Sequence, residues 1–505
     1  MAISKDALVL VIGAGAMGAG IAQVAAAAGH TVRLFDVRDG AAADAIAGID
    51  KVLSRQVEKG NLGDEARDRI LANLIPVQDI ADLSTVALVI EAVKEDLSVK
   101  QALFADIEAR APETVILATN TSSISVTAIA SALQRPARCA GLHFFNPAPL
   151  MALVEVVEGL ATDPTVTQTL VETAAAWGKT PVVAKSTPGF IVNRVARPFY
   201  AEALKVLQEG AASVDTLDAV MRESAGFRMG PFELMDLIGH DVNFAVTTTV
   251  HQAYFGDLRF TPSLLQQEMV AAGRLGRKSG RGFYDYAEGA AAPAPAQVPS
   301  QPAPSTATIR GDLGPAAALV DLAKAAGLSV SHERGDGYIV IPGATLALTD
   351  GRAATLRAAQ ENIDDLVVFD LALDWGKAAR IALAPADQAP PESVQAAAGF
   401  FQALGKTVSV LDDVPGLIGA RTICMLINEG ADAVLQGVAD PASIDVGMVK
   451  GVGYPRGPMA WGDLLGAGWV ACVLDNLVGA YGETRYRSSA LLRRLAARDG
   501  RFLEN

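Results

Sequence analysis

Apolar runs, most of them continuous rather than alternating, punctuate the first third of the chain. They fall at residues 7–12 (Ala-Leu-Val-Leu-Val-Ile), 31–36, 86–91, 115–119, 138–142, 152–157 and 181–184. Runs of this length predict strands covered on both faces, as in a parallel sheet flanked by helices. Helix-length stretches lie between them, so residues 1–186 are expected to fold as an α/β domain. Pro188-Gly189 breaks that alternation. From Phe190 to about Met269 the apolar spacing becomes helical, closing in Gly276-Arg-Lys-Ser-Gly-Arg-Gly-Phe283, so an all-α domain is expected over 187–286. Residues 287–309 are rich in proline and alanine and carry no apolar periodicity, which predicts a semi-extended linker.

Beyond the linker the chain repeats itself at one spacing. Pro188-Gly-Phe-Ile-x-x-Arg194 recurs as Pro415-Gly-Leu-Ile-x-x-Arg421, an offset of 415 − 188 = 227. The same offset carries Glu202 onto Glu429, Asp218 onto Asp445, Asp236 onto Asp463 and Gly178-Lys-Thr180 onto Gly405-Lys-Thr407. The spacing is too long for a solenoid and points to a duplicated helical domain. The expected order is therefore an α/β domain, an all-α domain, a reduced α/β segment over 310–410 and a second all-α copy over 411–505. The reduced segment contains no glycine-rich loop, so no second dinucleotide site is expected.

What joins the first two apolar runs carries chemistry. Gly13-Ala14-Gly15-Ala16-Met17-Gly18 follows the first run directly, and a small-residue helix follows it. Gly13 permits a tight turn, Gly15 lets backbone N–H groups approach a pyrophosphate, and Gly18 lets the helix pack on the strand. The second run ends in Asp36, 18 residues past Gly18, where a carboxylate can accept both ribose hydroxyls. This is the pattern of a Rossmann-like domain, with NAD favoured over NADP because Asp36 repels a 2′-phosphate; Arg38 nearby softens that preference. A membrane span over the uncharged residues 7–29 is the alternative, opposed by five glycines and Gln23 in that window.

Composition narrows the partners. The chain has 505 residues with 42 basic and 56 acidic side chains, a net charge of −14, which argues against nucleic acid. The three cysteines, Cys139, Cys424 and Cys472, are too far apart for a disulfide framework or a metal site, and no metal is expected. With no export signal in view, a cytoplasmic protein with no membrane partner is expected.

Polar residues gather where strands of the first domain should end, which is where open α/β sheets place ligands. They are Glu95 and Lys100, then Asn120-Thr-Ser122-Ser123, then His143-Phe-Phe-Asn146, then Glu155. Hydride transfer from an alcohol needs a base for the hydroxyl proton, a group to hold that base, and donors on the oxygen. His143, just after an apolar strand, is the candidate base; Glu155 on the next strand is its candidate partner. Ser122 and Asn193 are the candidates for positioning the oxygen. Each has a plainer reading: a satisfied structural histidine, a paired core acid, a serine capping the following helix. Lys51, Arg55 and Lys59 share one helix face and suit the phosphates of a large anionic substrate, although such stripes are commonly just solvated.

With these segments in hand, the sequence resembles the NAD-dependent L-3-hydroxyacyl-CoA dehydrogenases, the 3-hydroxybutyryl-CoA type included. The resemblance rests on Val11-Ile-Gly-Ala-Gly-Ala-Met-Gly18, Glu91-Ala-Val-x-Glu-Asp-Leu-x-Val-Lys100, Asn120-Thr-Ser-Ser-Ile124, Gly141-Leu-His-Phe-Phe-Asn-Pro147, Leu153-Val-Glu-Val156, Pro188-Gly-Phe-Ile-Val-Asn-Arg194 and Gly230-Pro-Phe-Glu-Leu-Met-Asp236. It implies His143 as general base with Glu155 as partner, and Ser122 and Asn193 on the substrate oxygen. It implies an NAD site lined by Asp36, Glu95, Lys100, Ser122, Asn146 and Lys278, and an acyl-CoA substrate met by Lys59; Val52 stands where the family carries a second CoA contact, a serine. The two-copy form is similar to longer bacterial members, some of which serve aromatic-acid breakdown through 3-hydroxyadipyl-CoA. It implies a homodimer or an internal pseudo-dimer in which the second copy, with Ala420 at the place of Asn193, is non-catalytic. Two rivals stay open: a dehydrogenase of the same build acting on a free hydroxy acid or sugar acid, and a non-catalytic NAD-binding scaffold.

Overall fold

The computed structural model describes residues 1–80 and 82–503. It divides into two compact units. One comprises residues 1–194 together with 437–452, the other 195–436 together with 453 onward.

The first unit is built on an eight-stranded sheet: β1 (Leu8–Ile12), β2 (Val32–Phe35), β3 (Leu74–Val77), β4 (Val86–Glu91), β5 (Ile116–Thr119), β6 (Cys139–Phe144), β7 (Leu153–Glu158) and β8 (Thr180–Lys185). The spatial order is β3-β2-β1-β4-β5-β6-β7-β8. β3 through β6 are mutually parallel in that order, β7 turns antiparallel against β6, and β8 is parallel to β7. The apolar runs are strands because both their faces are buried, as Val9, Leu10, Val11 and Ile12 show. The uncharged stretch 7–29 is a strand, a loop and a helix (Ala16–Ala27), not a span. Among the described residues no single helix is long and apolar enough to cross a membrane.

Three differences from the sequence reading have local causes. β3 was not expected: its Pro76 and exposed Ile75 disguise it, and both are tolerated because β3 is the sheet edge. β6 runs on through Phe144, so His143 lies within the strand rather than after it. The linker ends early, because Thr306 already opens β9 (Thr306–Arg310).

The second unit holds a seven-stranded sheet of β9, β10 (Ser329–Glu333), β11 (Tyr338–Ile341), β12 (Ala344–Leu348), β13 (Leu366–Phe369), β14 (Arg380–Pro385) and β15 (Thr407–Val410), in the order β10-β9-β11-β12-β13-β14-β15. β12 through β15 repeat the parallel, antiparallel, parallel sequence of β5 through β8. The 227-residue offset carries Leu153 of β7 onto Arg380 of β14 and Thr180 of β8 onto Thr407 of β15. The reduced segment thus keeps the half of the sheet that follows the cofactor loop and replaces the half that carries it. The linker lies along this sheet, with Val298 N donating to Val408 O (2.8 Å).

The helical copies exchange one element. The helix Pro441–Gly451 of copy two packs on β7 and β8 in the first unit. Its start is set by Asp440, whose carboxylate accepts from Ser443 N (2.8 Å), and by Pro441 in the first turn. Its glycines let it approach closely: a Cβ on Gly451 would lie 2.6 Å from Leu153 Cδ2. The corresponding helix of copy one, Val214–Glu223, packs on β14 in the second unit. The backbone bonds at the two junctions correspond as well: Lys185 N to Val438 O and Asp412 N to Ala211 O, both 2.8 Å. Residue i meets j where j's counterpart meets i's, which is the pairing rule of a two-fold dimer realised inside one chain. Within the second unit the helix Gly419–Leu435 packs along Arg197–Gln208.

Candidate active site

The glycine loop is shaped as the sequence requires. Gly13 has φ +104, and a Cβ there would sit 2.4 Å from Ala92 O; a Cβ on Gly18 would sit 1.7 Å from Gly13 O. Gly15 faces open space, which leaves its backbone free to approach a phosphate. Gly13, Gly15, Asp36, Arg38 and Val93 line a cavity of about 520 Å³. Asp36 accepts from Ala14 N (2.8 Å), Arg38 N (3.0 Å) and Arg38 Nε (2.9 Å). The Arg38 guanidinium above all holds the Asp36 carboxyl far below the usual carboxylate range, so it is ionised and able to accept hydroxyl donors. Ala16 and Met17 begin the helix whose N–H groups face the loop. An open glycine, an ionised acid at the end of β2 and a helix N-terminus fit a dinucleotide with a free ribose 2′-hydroxyl.

His143 and Glu155 are direct cross-strand partners in the antiparallel β6–β7 ladder. Such partners project from one face, and His143 Nδ1 meets Glu155 Oε2 at 2.6 Å. Glu155 is fully buried, and its other oxygen accepts from Ile191 N and Val192 N, both 3.0 Å. Those two N–H groups are presented by the Pro188-Gly189-Phe190 turn, in which Gly189 (φ 79) and Phe190 (φ 47) are both left-handed. A left-handed phenylalanine costs about 1–3 kcal/mol and persists because the surroundings demand it. The Phe145 and Phe190 rings pack against the imidazole at centroid distances of 4.5 and 5.8 Å. Its Nδ1 is thus committed to a carboxylate that is itself anchored at a helix start, leaving Nε2 for another partner.

Ser122 and Asn193 come together: Asn193 Nδ2 donates to the Ser122 carbonyl at 3.4 Å. Glu95 organises the loop carrying Ser122, accepting from Thr121 Oγ1 (2.6 Å), Ser122 N (3.0 Å) and Ser123 N (3.2 Å). Burial pushes the Glu95 carboxyl up, but the Thr121 hydroxyl and the Lys100 ammonium outweigh it and hold the group below its ordinary value. Lys100 does not line an open surface. It is 1% exposed and bonded to Glu91 (2.6 Å) and Glu95 (3.2 Å), so it bears on the site through Glu95. Sequence reasoning gave no role to Asn120, whose Oδ1 accepts from Phe144 N (2.8 Å) and ties the end of β5 to the strand that carries His143. Its place at a strand end was the only available signal.

Other expected residues are not gathered in. Asn146 is exposed on the loop after β6. Arg55 and Lys59 are exposed at the end of the helix Ala41–Glu58, as is Val52. Lys278 belongs to the second unit, where it pairs with Asp241 at 2.5 Å.

Comparison with known proteins adds the decisive observation. The NAD-binding domain family of 3-hydroxyacyl-CoA dehydrogenases matches residues 8–187, and its C-terminal domain family matches twice, over 189–286 and 416–502. The reduced Rossmann-fold domain of 3-hydroxybutyryl-CoA dehydrogenase matches 346–415. The chain belongs to the 3-hydroxyacyl-CoA dehydrogenase family. It is an NAD-dependent oxidoreductase. An Escherichia coli K12 protein named 3-hydroxyadipyl-CoA dehydrogenase is 46% identical, over 97% of each chain. A crystal structure of 3-hydroxybutyryl-CoA dehydrogenase from Escherichia coli K12 superposes with TM-score 0.90 at 44% identity, covering 98% of this chain and 99% of that one. The shorter pig mitochondrial hydroxyacyl-coenzyme A dehydrogenase is 42% identical over 55% of this chain and 90% of its own.

Against that background the dehydrogenase's second copy keeps the scaffold and lacks the histidine. The offset puts Asp370 at the place of His143 and Ala382 at that of Glu155. Asp370 is buried and takes over the helix-start bonds, accepting from Gly419 N (2.7 Å) and Ala420 N (2.9 Å), while burial pushes its carboxyl up to about 6. Leu417 repeats the left-handed turn of Phe190 with φ 50.

For the cofactor loop, Asp36→Ala is expected to weaken NADH binding about 10–100-fold, the scale of losing hydrogen bonds to a charged acceptor. NADPH binding should strengthen, since Arg38 is released from its partner. Fluorescence titration with both nucleotides reads this directly, and an unchanged NADH-to-NADPH ratio would remove Asp36 from the ribose site.

Proposed function

We propose that this dehydrogenase oxidises (3S)-3-hydroxyacyl-CoA thioesters of the 3-hydroxybutyryl and 3-hydroxyadipyl class to 3-oxoacyl-CoA, with His143 as general base. The observation that carries the reading is the in-register His143–Glu155 pair at 2.6 Å, on the strand adjoining the Ser122 loop. His143 Nε2 accepts the C3 hydroxyl proton while the C3–O bond becomes a carbonyl. Bound NAD supplies the acceptor for the hydride that leaves C3. Glu155 fixes the ring tautomer through Nδ1 and stabilises the imidazolium, and its anchoring by Ile191 and Val192 keeps it from swinging away. Ser122 and Asn193 hold the substrate oxygen as its bonding changes. Arg55 and Lys59, exposed and without an ion-pair partner among the described residues, meet the phosphates of CoA. The second copy, without a histidine at position 370, serves as the docking half.

Acetoacetyl-CoA with NADH is the direct test, followed at the NADH absorbance. Consumption of NADH is expected, with kcat/KM for the thioester well above that for free acetoacetate. Equal or better use of the free acid would overturn the CoA assignment. A protein that binds NADH but turns over no thioester would be the scaffold instead.

A further inference from the structure

At the carboxyl end of β4 two carboxylates share one ammonium. Glu91, the last residue of that strand, is fully buried. Its Oε1 accepts from Lys100 Nζ (2.6 Å) and Val93 N (2.7 Å), and its Oε2 accepts from Thr119 Oγ1 (2.7 Å). The same Lys100 Nζ lies 3.2 Å from Glu95 Oε2, while Glu95 Oε1 grips the Ser122 loop. No other cation pairs with either carboxylate among the described residues. The cluster therefore keeps one negative charge over. Lys94 and Asp96 on the same turn carry opposite charges and leave that sum unchanged. The Glu91 charge is felt on β6 as well, where burial first and its field second push the Cys139 thiol up to about 12. A carboxylate in excess inside a protein is unfavourable, and a cation arriving from outside relieves it.

Where that charge sits decides what it can act on. β4 lies between β1 and β5. Glu91 is level with Ile12, the residue before the glycine loop, on one side and with Thr119 on the other. The loop after β1 takes the pyrophosphate. The loop after β5 carries Ser122, placed on the substrate oxygen by the functional reading above, and the inference rests on that reading here. A dinucleotide held by the first loop and presenting its nicotinamide at the second has to cross the end of β4. Neighbouring strands are about 4.8 Å apart, which brings the ring within roughly 10 Å of the Glu91 carboxylate. The ring is a cation in NAD⁺ and neutral in NADH.

We propose that Glu91 sets the preference of the site for the oxidised over the reduced cofactor. It does so without touching the cofactor, as the buried member of a cluster whose net negative charge lies beside the nicotinamide ring. Lys100 cancels one carboxylate and no more, so the remaining charge attracts the cationic ring and is indifferent to the neutral one. Burial keeps water and salt from screening that attraction. Arrival of a hydride on the ring abolishes it, so NADH leaves the site more readily than NAD⁺ does.

Glu91→Gln removes the charge and keeps the shape, with an oxygen still available to Lys100 and Val93. The readout is the ratio of the NADH and NAD⁺ dissociation constants, each measured by titration in the absence of substrate. The preference for NAD⁺ is expected to fall about 3–30-fold, the effect of a unit charge roughly 10 Å away at an effective dielectric between those of protein and water. Loss of packing alone would weaken both nucleotides equally, and an unchanged ratio overturns the proposal. Adding Lys100→Met to Glu91→Gln removes a cation as well and leaves Glu95 as the single negative charge. The preference is then expected to return towards the wild-type ratio even where both affinities drop; a ratio that stays as low as in Glu91→Gln also overturns the proposal. Glu95→Gln removes the carboxylate at the exposed end of the cluster and carries the same measurement should Glu91→Gln fail to fold. Turnover plays no part in these titrations. A wild type inactive on acetoacetyl-CoA overturns the functional reading, and the nucleotide ratio still decides the role of Glu91.

Discussion

His143→Gln is expected to lower kcat on 3-hydroxybutyryl-CoA by about three orders of magnitude, near the upper range for losing a positioned general base. Glutamine fills much of the same volume and can still donate to Glu155, so the packing with Phe145 and Phe190 should survive. What it cannot do is take a proton at neutral pH. NADH binding is expected to change less than about twofold, because the cofactor loop lies between β1 and the following helix and owes nothing to β6. Glu155→Gln is the informative companion. It keeps an acceptor for Ile191 and Val192 while removing the charge that stabilises an imidazolium, so kcat should fall by about two orders of magnitude with the fold intact. The measurement is steady-state kinetics paired with a nucleotide titration. Near-full turnover in both variants would sink the assignment of the pair.

How much of this was readable beforehand depends on whether a feature is local. The glycine loop and Asp36 are encoded by spacing within one strand–helix–strand unit, and the structure places them on one cavity. The His143–Glu155 contact was readable as two strand residues at neighbouring strand ends. Their in-register meeting was not, because it depends on β7 reversing direction against β6, and nothing in an apolar run encodes direction. Glu95 could be named but not its task of gripping the Thr121–Ser123 loop, which only tertiary folding brings within reach. β3 was hidden because an edge strand with Pro76 lacks the buried signature that identified the others. The 227-residue offset revealed the duplication, yet the exchange of helices between the two sheets left no trace in either copy. Apolar spacing along a helix marks the face it buries, not which of two sheets that face will cover.

The joint between the copies is where a stability change should be greatest. Glu202 is fully buried and receives Arg421 Nε at 2.8 Å, Arg485 Nε at 3.0 Å and Tyr486 OH at 3.1 Å, all three from the second copy. Glu202→Ala removes, among the described residues, the only carboxylate that pairs with Arg485 and one of the two that pair with Arg421, the other being Glu209 at 2.9 Å. Orphaning a buried charge in this way costs about 3–5 kcal/mol. At about 2–4 °C per kcal/mol for a domain of this size, the helical unit should melt roughly 10 °C lower. The pH dependence has a definite sign. Burial pushes the Glu202 carboxyl up, but Arg485 and Arg421 outweigh it and hold the folded value below the ordinary one. Its contribution is therefore full at neutral pH and fades as pH falls through that lowered value, so the gap between wild type and variant should narrow in acid. Scanning calorimetry at pH 7 and at about pH 4 reads both effects, the latter near the ordinary glutamate range. If the loss comes from unpaired charge, adding Arg485→Met to Glu202→Ala should recover much of it, since an apolar replacement for a broken ion pair is close to neutral. A double variant as unstable as the sum of its parts would mean that Glu202 acts through packing, and that the ion cluster does not hold the two copies together.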